Sequence, residues 1–185
     1  MKNRKIPCPR AGGLSLLELV ITLALAAILL GIGVPSFNNL ILDNRRSAAI
    51  NAFVTAIQAA RIESFKRSRP VVLCKTQDLE VCARDAGWET GWMVFVNEDG
   101  RRPPQRDPRD PVLLAFQPEM NGVITANRKL FEFRPFGRRS VNGTVTFCDT
   151  RGPAAARAVI ISYTGRPRVS DRGPGRRPLV CPQGV

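Results

Sequence analysis

Residues 13–35 read GLSLLELVITLALAAILLGIGVP, and this stretch decides how the N-terminal part of the chain folds. The 21 residues 14–34 are mostly apolar and carry a single charge, Glu18. A helix of that length is about 32 Å long, which suffices to cross the hydrocarbon core of a bilayer. Residues 1–13 contain four basic residues and no acidic one. The positive-inside rule therefore places residues 1–13 in the cytoplasm and the rest of the chain beyond the membrane.

Three interpretations of this stretch compete. A plain membrane anchor leaves Glu18 unexplained, because a carboxylate inside an apolar segment is costly without a partner. A cleaved secretory signal has a candidate processing site in the small residues 24–27, but the apolar run continues beyond them to Val34. The third interpretation explains both the carboxylate and the length of the run, and it rests on a resemblance to a known family.

The order Gly13-Leu14-Ser15-Leu16-Leu17-Glu18 resembles the N-terminus of type IV pilins and pilin-like proteins. Those proteins are cut after a glycine that ends a short basic leader, and glutamate is the fifth residue of the mature chain, as Glu18 is when Leu14 is first. Pro35 also lies where the family has a helix-kinking proline, although Leu14 replaces the usual Phe. The resemblance implies that a prepilin peptidase cuts between Gly13 and Leu14 and methylates the new amine. Glu18 would then serve assembly, because its carboxylate is favoured near a helix N-terminus and can neutralise a Leu14 amine.

The rest of the chain indicates one long helix followed by strands. Small and apolar residues continue at helical spacing to about residue 66, and the face they form contains Leu42, Ala49, Phe53, Ala56, Ile57, Ala60 and Ser64. After Pro70 the pattern becomes strand-like, with turn signals between strands predicted at 71–74, 91–96, 112–116, 122–125, 130–134, 144–148 and 158–163. We predict an α+β fold in which the helix packs on an antiparallel sheet or sandwich. The predicted parts are a leader (1–13), a transmembrane and stem helix (14–66) and a β-rich globular domain (67–185).

The globular part resembles the GspH/FimT group of minor pilins and pseudopilins. The stretches that carry the resemblance are WETGWMVF at 88–95, FRPFG at 133–137 and TGRPR at 164–168. Together with the N-terminal motif, they extend the likeness over most of the chain. We expect Trp88, Trp92 and Phe95 to be core residues rather than ligand-stacking ones.

Five cysteines are present, and Cys8 belongs to the predicted leader. The other four, Cys74, Cys82, Cys148 and Cys181, lie in the exported part, where an even count suggests two disulfides with three possible pairings. We favour Cys74–Cys82, which closes a short loop, and Cys148–Cys181, which would tie the basic C-terminal segment to the sheet. A metal site is the alternative, but no CxxC pair exists and export favours oxidation.

The composition argues against enzymatic chemistry. The chain has no histidine, so Ser-His-Asp and Cys-His catalysis and imidazole metal sites are excluded. No carboxylate pair, P-loop or GxSxG motif occurs either. We therefore predict a non-enzyme without catalytic residues, metal or cofactor.

The net charge of +13 is unevenly distributed. Residues 1–13 carry +4, residues 14–120 are balanced with 12 basic and 12 acidic residues, and residues 121–185 have 12 basic and three acidic residues. Once the leader is removed, the whole excess lies in the C-terminal third. That asymmetry indicates an anionic partner, with a merely solvated surface as the alternative.

The segment Gly165-Arg166-Pro167-Arg168 is the strongest candidate for binding that partner. Arginines two apart in an extended segment point to the same side, about 6.5–7 Å apart, which is close to the phosphate repeat of a nucleic-acid backbone. In FimT-like minor pilins, a GRxR element resembling this one is associated with DNA binding during natural transformation, or competence. Only Arg166 and Arg168 follow from that motif. From charge alone we add Arg172, Arg176, Arg177, Arg138 and Arg139.

The predicted partners are non-specifically bound DNA, major and minor pilins, prepilin peptidase and, before assembly, the bacterial inner membrane. The chain would cross that membrane once, with its C-terminal domain in the periplasm, and then join a pilus or pseudopilus. Two alternatives share the helix and the sandwich. One is a GspH-like pseudopilin of type II secretion, and the other is a minor pilin that primes pilus assembly without binding DNA.

Overall fold

The computed structural model of the chain describes Gly13, residues 15–135 and residues 140–182, without the side chains of residues 32–35. The predicted leader residues 1–12, the predicted methylation site Leu14 and the predicted DNA-binding residues Arg138 and Arg139 lie outside the described residues. The chain divides into two compact units, Met1–Ile41 and Leu42–Val185. Helix α1, Leu16–Arg67, contributes residues to both units.

In the first unit, α1 begins at a capped N-terminus. The backbone N–H of Glu18 donates to Oγ of Ser15 at 3.2 Å, and the N–H of Leu19 donates to the Ser15 carbonyl at 3.1 Å. The first bond satisfies an amide that the first turn of a helix otherwise leaves without a partner, and the second is the first regular backbone bond of the helix. The large apolar side chains described between Leu16 and Leu30 are all exposed. Within the described residues, α1 is the one helix long and apolar enough to cross a membrane.

The second unit contains two four-stranded antiparallel sheets. The first sheet has the order β3-β2-β1-β5 and the second has the order β4-β6-β7-β8. The strands are β1 (Val71–Lys75), β2 (Trp92–Val96), β3 (Val112–Phe116), β4 (Gly122–Ala126), β5 (Leu130–Phe133), β6 (Gly143–Asp149), β7 (Arg157–Ile161) and β8 (Pro167–Ser170). Two 3₁₀ helices, Trp88–Thr90 and Pro174–Arg176, lie in the connections.

One hydrophobic core joins the second half of α1 to both sheets. Seven residues of the predicted helical face were named from sequence; six are buried and Leu42 is half-buried, while Asn51, Thr55 and Gln58 are exposed on the other side. Alternate residues of the strands complete this core, for example Val71 and Leu73 of β1. The predicted α+β fold, a long helix with an antiparallel β domain, is confirmed.

Two smaller apolar clusters lie on the outer faces of the sheets, and each contains a disulfide. Cys74 packs with Val72, Met93 and Phe95 and is bonded to Cys82. Cys148 packs with Ala156, Ala158 and Leu179 and is bonded to Cys181. Both pairings are the ones favoured from the sequence. Trp88, Trp92 and Phe95 are buried, as expected of core residues.

The strand assignment differs from the sequence prediction at the C-terminal end. The predicted strand at 158–163 ends at Ile161, because residues 162–165 form a turn, and an eighth strand follows from Pro167. The sequence did not reveal β8 because it begins with proline and lacks an alternating apolar pattern. As an edge strand, β8 tolerates a proline, which cannot donate a ladder hydrogen bond.

Candidate nucleic-acid interface

The β7–β8 hairpin holds Arg166 and Arg168 on an ordered scaffold. The N–H of Gly165 donates to the Ser162 carbonyl at 2.8 Å, and the N–H of Ser162 donates to the Arg166 carbonyl at 3.1 Å. Oγ of Ser162 also accepts the N–H of Arg166 at 3.2 Å. Gly165 has a φ of 73°, in the left-handed region that glycine adopts without penalty. The turn therefore fixes the position of the backbone at Arg166, the first residue of the arginine pair.

Arg166 and Arg168 are both exposed. Arg168 pairs with Ile160 of β7, whereas the neighbouring Val169 pairs with Val159, a core residue. Because side chains alternate along a strand, Arg168 lies on the outer face of the second sheet. β8 is the edge strand, so no further strand covers this side of the hairpin among the described residues.

The C-terminal segment after β8 presents three more exposed arginines, Arg172, Arg176 and Arg177. The N–H of Gly173 donates to the Arg177 carbonyl at 2.8 Å, which closes a tight loop around the second 3₁₀ helix. Leu179 then packs on the outer face of the second sheet, and the disulfide from Cys181 secures the end of the segment. The segment is therefore held against the same sheet face that carries Arg168.

These five arginines are close together in sequence and have no acidic partners among the described residues. Several surface arginines elsewhere pair with acids, as in Arg101–Asp99 at 2.8 Å, Arg109–Asp107 at 3.1 Å and Arg134–Glu132 at 2.9 Å. The exposed Arg45, Arg84 and Arg128 also make no ion pair with a described residue, but they lie in separate parts of the chain. Within the described part of the chain, none of the five makes an ion pair. One acid, Asp171, is nearby in sequence and is exposed. The hairpin and the segment after it thus carry positive charge that the protein itself does not neutralise.

An ionic cluster connects α1 to the end of β6 in the same sheet. The carboxylate of Asp149 contacts Arg46 of α1 at 3.2 Å and Arg151 at 2.7 Å, and Arg151 also contacts Asp43 at 2.8 Å. The hydrogen bond from Arg151 holds the pKa of the Asp43 carboxyl below its usual value. The hydrogen bonds that Arg151 donates to Asp149 and Asp43 raise the pKa of Arg151. These arginines are neutralised internally and add nothing to the unpaired positive charge of the hairpin and the segment after it.

The predicted site residues are only partly brought together. Arg166, Arg168, Arg172, Arg176 and Arg177 share one hairpin and the segment that follows it, while Gly13 and Glu18 are exposed in the other unit. Sequence reasoning did not identify Arg61 of α1, which packs against Gly165. Arg61 is about a hundred residues from the GRPR segment in the sequence, so no local sequence pattern connects the two. It also did not identify Ser15, although the S-x-x-E spacing to Glu18 is a capping-box pattern.

Comparison with known proteins places this architecture in a family. The family described as Type II transport protein GspH matches residues 49–165. Pilin-like protein PilA1 of Thermus thermophilus is 31% identical over 170 residues, covering 85% of this chain and 97% of that protein.

Two crystal structures of the type IV minor pilin FimU from Pseudomonas aeruginosa share the fold. Each has a TM-score of 0.50 and 16% identity; they cover 67% and 72% of this chain, and 91% and 90% of their own chains. The family match spans more than half of this chain, and the relative is aligned over nearly its whole length. The chain therefore belongs to the GspH family and is a type IV minor pilin of the GspH/FimT-like type.

Proposed function

We propose that this minor pilin binds DNA non-specifically through its C-terminal arginines and so supports DNA uptake in natural transformation. The observation that carries the proposal is the set of five exposed arginines that make no ion pair with described residues, on a hairpin and a disulfide-held segment. A guanidinium binds phosphate through two parallel hydrogen bonds, and phosphate contacts are independent of sequence. Arg166 and Arg168 are the main contacts, and Arg172, Arg176 and Arg177 extend them. Arg138 and Arg139, predicted from charge alone, remain part of the proposal.

The long apolar N-terminal helix fits membrane anchoring and incorporation into a pilus, and membership of the pilin family suggests association with other pilins. We further propose a single-pass topology in the bacterial inner membrane, with a periplasmic C-terminal domain, before assembly. Prepilin peptidase is the proposed processing partner, acting between Gly13 and Leu14, with Glu18 serving assembly. The protein is proposed to work without catalysis, metal or cofactor.

A double substitution tests the DNA-binding proposal. We expect the parent, as full-length protein in uncharged detergent, to bind a labelled duplex in the micromolar range that is typical of non-specific contacts. The log–log slope of affinity against salt should be roughly −3 to −4.5 if about three to five phosphates are contacted. Arg166→Ala/Arg168→Ala should weaken binding to all sequences about equally.

The matched control is Arg101→Ala/Arg102→Ala, which removes the same charge from a region where both arginines lie beside acids. Arg101 is 2.8 Å from Asp99, and Arg102 is 3.8 Å from Glu132. We expect this control to lose less affinity than Arg166→Ala/Arg168→Ala. If Arg166→Ala/Arg168→Ala stays folded and binds DNA like the parent, the GRPR segment has only a structural role in the hairpin and the DNA-binding proposal is wrong.

A pseudopilin of a type II secretion system is the second candidate function, because the matching family is described as Type II transport protein GspH. That role requires the helix and the core but not the unpaired arginines. Loss of secretion without loss of DNA uptake in a deletion strain would favour it. If the protein instead primes pilus assembly, the deletion strain should carry fewer pili. Expression of the Arg166→Ala/Arg168→Ala variant in that strain should restore the number of pili.

A further inference from the structure

Arg61 of α1 packs against the turn that presents Arg166. A methyl group placed on Gly165 would lie 3.1 Å from Cδ and 3.3 Å from Cγ of Arg61. The aliphatic part of the Arg61 side chain therefore covers the turn. Since consecutive Cα atoms are 3.8 Å apart, Cδ of Arg61 is at most about 8.5 Å from Cα of Arg166. The side chain of Arg61 thus lies close to the backbone of Arg166 at one end of the hairpin.

The guanidinium of Arg61 has no partner within the described structure. Its Nε is buried and makes no hydrogen bond, and neither Nη atom is bonded to a described residue. Two other arginines of α1 have acidic partners, since Arg46 bonds to Asp149 and Arg67 bonds to Glu63 at 2.6 Å, whereas Arg45 has none among the described residues but is exposed to solvent. The buried Nε lacks a hydrogen-bond acceptor, and an anion arriving from outside would supply the counter-charge that the described residues do not. The position of Arg61 beside Arg166 indicates where that anion binds.

We propose that Arg61 is a DNA-binding residue that contacts the same stretch of phosphate backbone as Arg166. This inference rests on the proposed function and extends it from the C-terminal segment to the helix. Packing against Gly165 restricts the side chain before DNA arrives, so less conformational entropy is lost on binding than for a free surface arginine. The helix thereby adds a fixed phosphate contact to the hairpin arginines.

Three substitutions on α1 separate the charge of Arg61 from its packing. Arg61→Met keeps an unbranched aliphatic chain against Gly165 and removes the charge, whereas Arg61→Lys keeps the charge. Arg45→Met is the matched control, because Arg45 is an exposed arginine of the same helix without an ion pair among the described residues. Binding is measured with full-length protein in uncharged detergent, by fluorescence anisotropy of a labelled duplex at several salt concentrations.

We expect Arg61→Met to weaken DNA binding about five- to tenfold and to reduce the magnitude of the salt slope by about 0.9, the value for one lost phosphate contact. Arg61→Lys should recover the salt slope and most of the affinity, and Arg45→Met should bind like the parent. A packing role alone would leave the salt slope unchanged. The near-UV circular dichroism spectrum checks the fold, and Arg61→Gln replaces Arg61→Met in the same comparison if that spectrum is lost.

Two results would overturn the inference. One is parental affinity and salt slope in the charge-removing variant. The other is equal weakening by Arg61→Met and Arg61→Lys with an unchanged slope, which would make Arg61 a packing residue. Arg166→Ala/Arg168→Ala, measured in parallel, separates this failure from that of the proposed function. If that double variant loses binding while Arg61→Met does not, only the role of Arg61 is wrong; if the double variant binds like the parent, the proposed function fails.

Discussion

At the scale of single residues, Phe53 holds the helix to the sheets. Its ring makes edge-on contacts with Trp88, Trp92 and Phe147, with centroid distances of 5.6, 5.2 and 5.8 Å. We expect Phe53→Ala to lower the free energy of unfolding by about 3–5 kcal/mol, through lost burial and the cavity left behind. Urea unfolding followed by tryptophan fluorescence measures this. Ile62→Ala, at a position that is 63% exposed on the same helix, should change it by no more than about 0.5 kcal/mol. Equal effects of the two substitutions would contradict this account of the core.

Asp149 makes stability depend on pH. Burial raises the pKa of its carboxyl, but the hydrogen bonds from Arg151 and the charges of Arg151 and Arg46 outweigh burial, so that the pKa is lowered. A lowered folded-state pKa contributes stability that is fully present above the unfolded pKa of about 3.9 and is lost as the pH falls through the folded value. We therefore expect the free energy of unfolding to fall as the pH drops below about 5. Asp149→Asn should flatten that decline and cost about 1.5–3 kcal/mol at pH 7, because Arg46 and Arg151 lose a buried counter-charge but keep their ion pairs with Asp43.

Urea titrations between pH 2 and pH 7 measure both effects. Asp171→Asn is the control, since Asp171 is exposed and makes no ion pair with a described residue. Its free energy of unfolding at pH 7 should stay within about 0.5 kcal/mol of the parent. If the free energy of unfolding of Asp149→Asn falls with decreasing pH as steeply as that of the parent, then other carboxylates cause the loss of stability in acid.

At the scale of elements, what could be predicted depends on whether the signal is local. The helical face around Phe53 was predictable because its apolar residues recur at helical spacing, and the strand β2 because it is a short, continuous apolar run bounded by turn signals. β8 was not predicted as a strand, because an edge strand needs no apolar alternation and Pro167 is atypical of a strand. Contacts that bring distant elements together were also missed, as with Arg46 and Asp149, which are 103 positions apart. Tertiary packing creates these contacts, and no short stretch of sequence encodes them.

The segment that follows β8 depends on its disulfide for its position. Cys148 and Cys181 are 33 positions apart, so the chain-entropy estimate assigns this bond about 3.7 kcal/mol. The same estimate assigns about 2.5 kcal/mol to Cys74–Cys82, which are 8 apart. We expect Cys148→Ser/Cys181→Ser to destabilise the protein more than Cys74→Ser/Cys82→Ser. Cys148→Ser/Cys181→Ser should also weaken DNA binding less than Arg166→Ala/Arg168→Ala. It frees the segment that carries Arg172, Arg176 and Arg177 but leaves the hairpin in place. Urea unfolding and duplex binding of both serine pairs test this, and the opposite order of stabilities would contradict it.

At the scale of the whole molecule, the two units differ in how much of their apolar surface is exposed. Leu42–Val185 buries its own core, whereas the described apolar side chains of α1 before Pro35 are exposed. Exposed apolar surface of that extent requires a bilayer or the helices of other pilins to cover it. A minor pilin must pass from the first environment to the second. We propose that Gly13, Leu14 and Glu18 control this passage.

We expect prepilin peptidase to cut after Gly13, because the leader is basic and helix α1 begins shortly beyond it, at Leu16, with Ser15 as its cap. Gly13→Phe should block the cut, so that mass spectrometry finds the leader still attached. Glu18→Ala should be cut normally but be missing from sheared pili. Glu18 provides the one charge of the apolar segment, and its carboxylate is available to neutralise the amine of Leu14 in a low-dielectric filament. Glu18→Asp, which keeps the charge on a shorter side chain, is the control and should retain part of the incorporation. A mature N-terminus within residues 24–27 would instead identify a cleaved secretory signal, and Glu18 would then be lost with it.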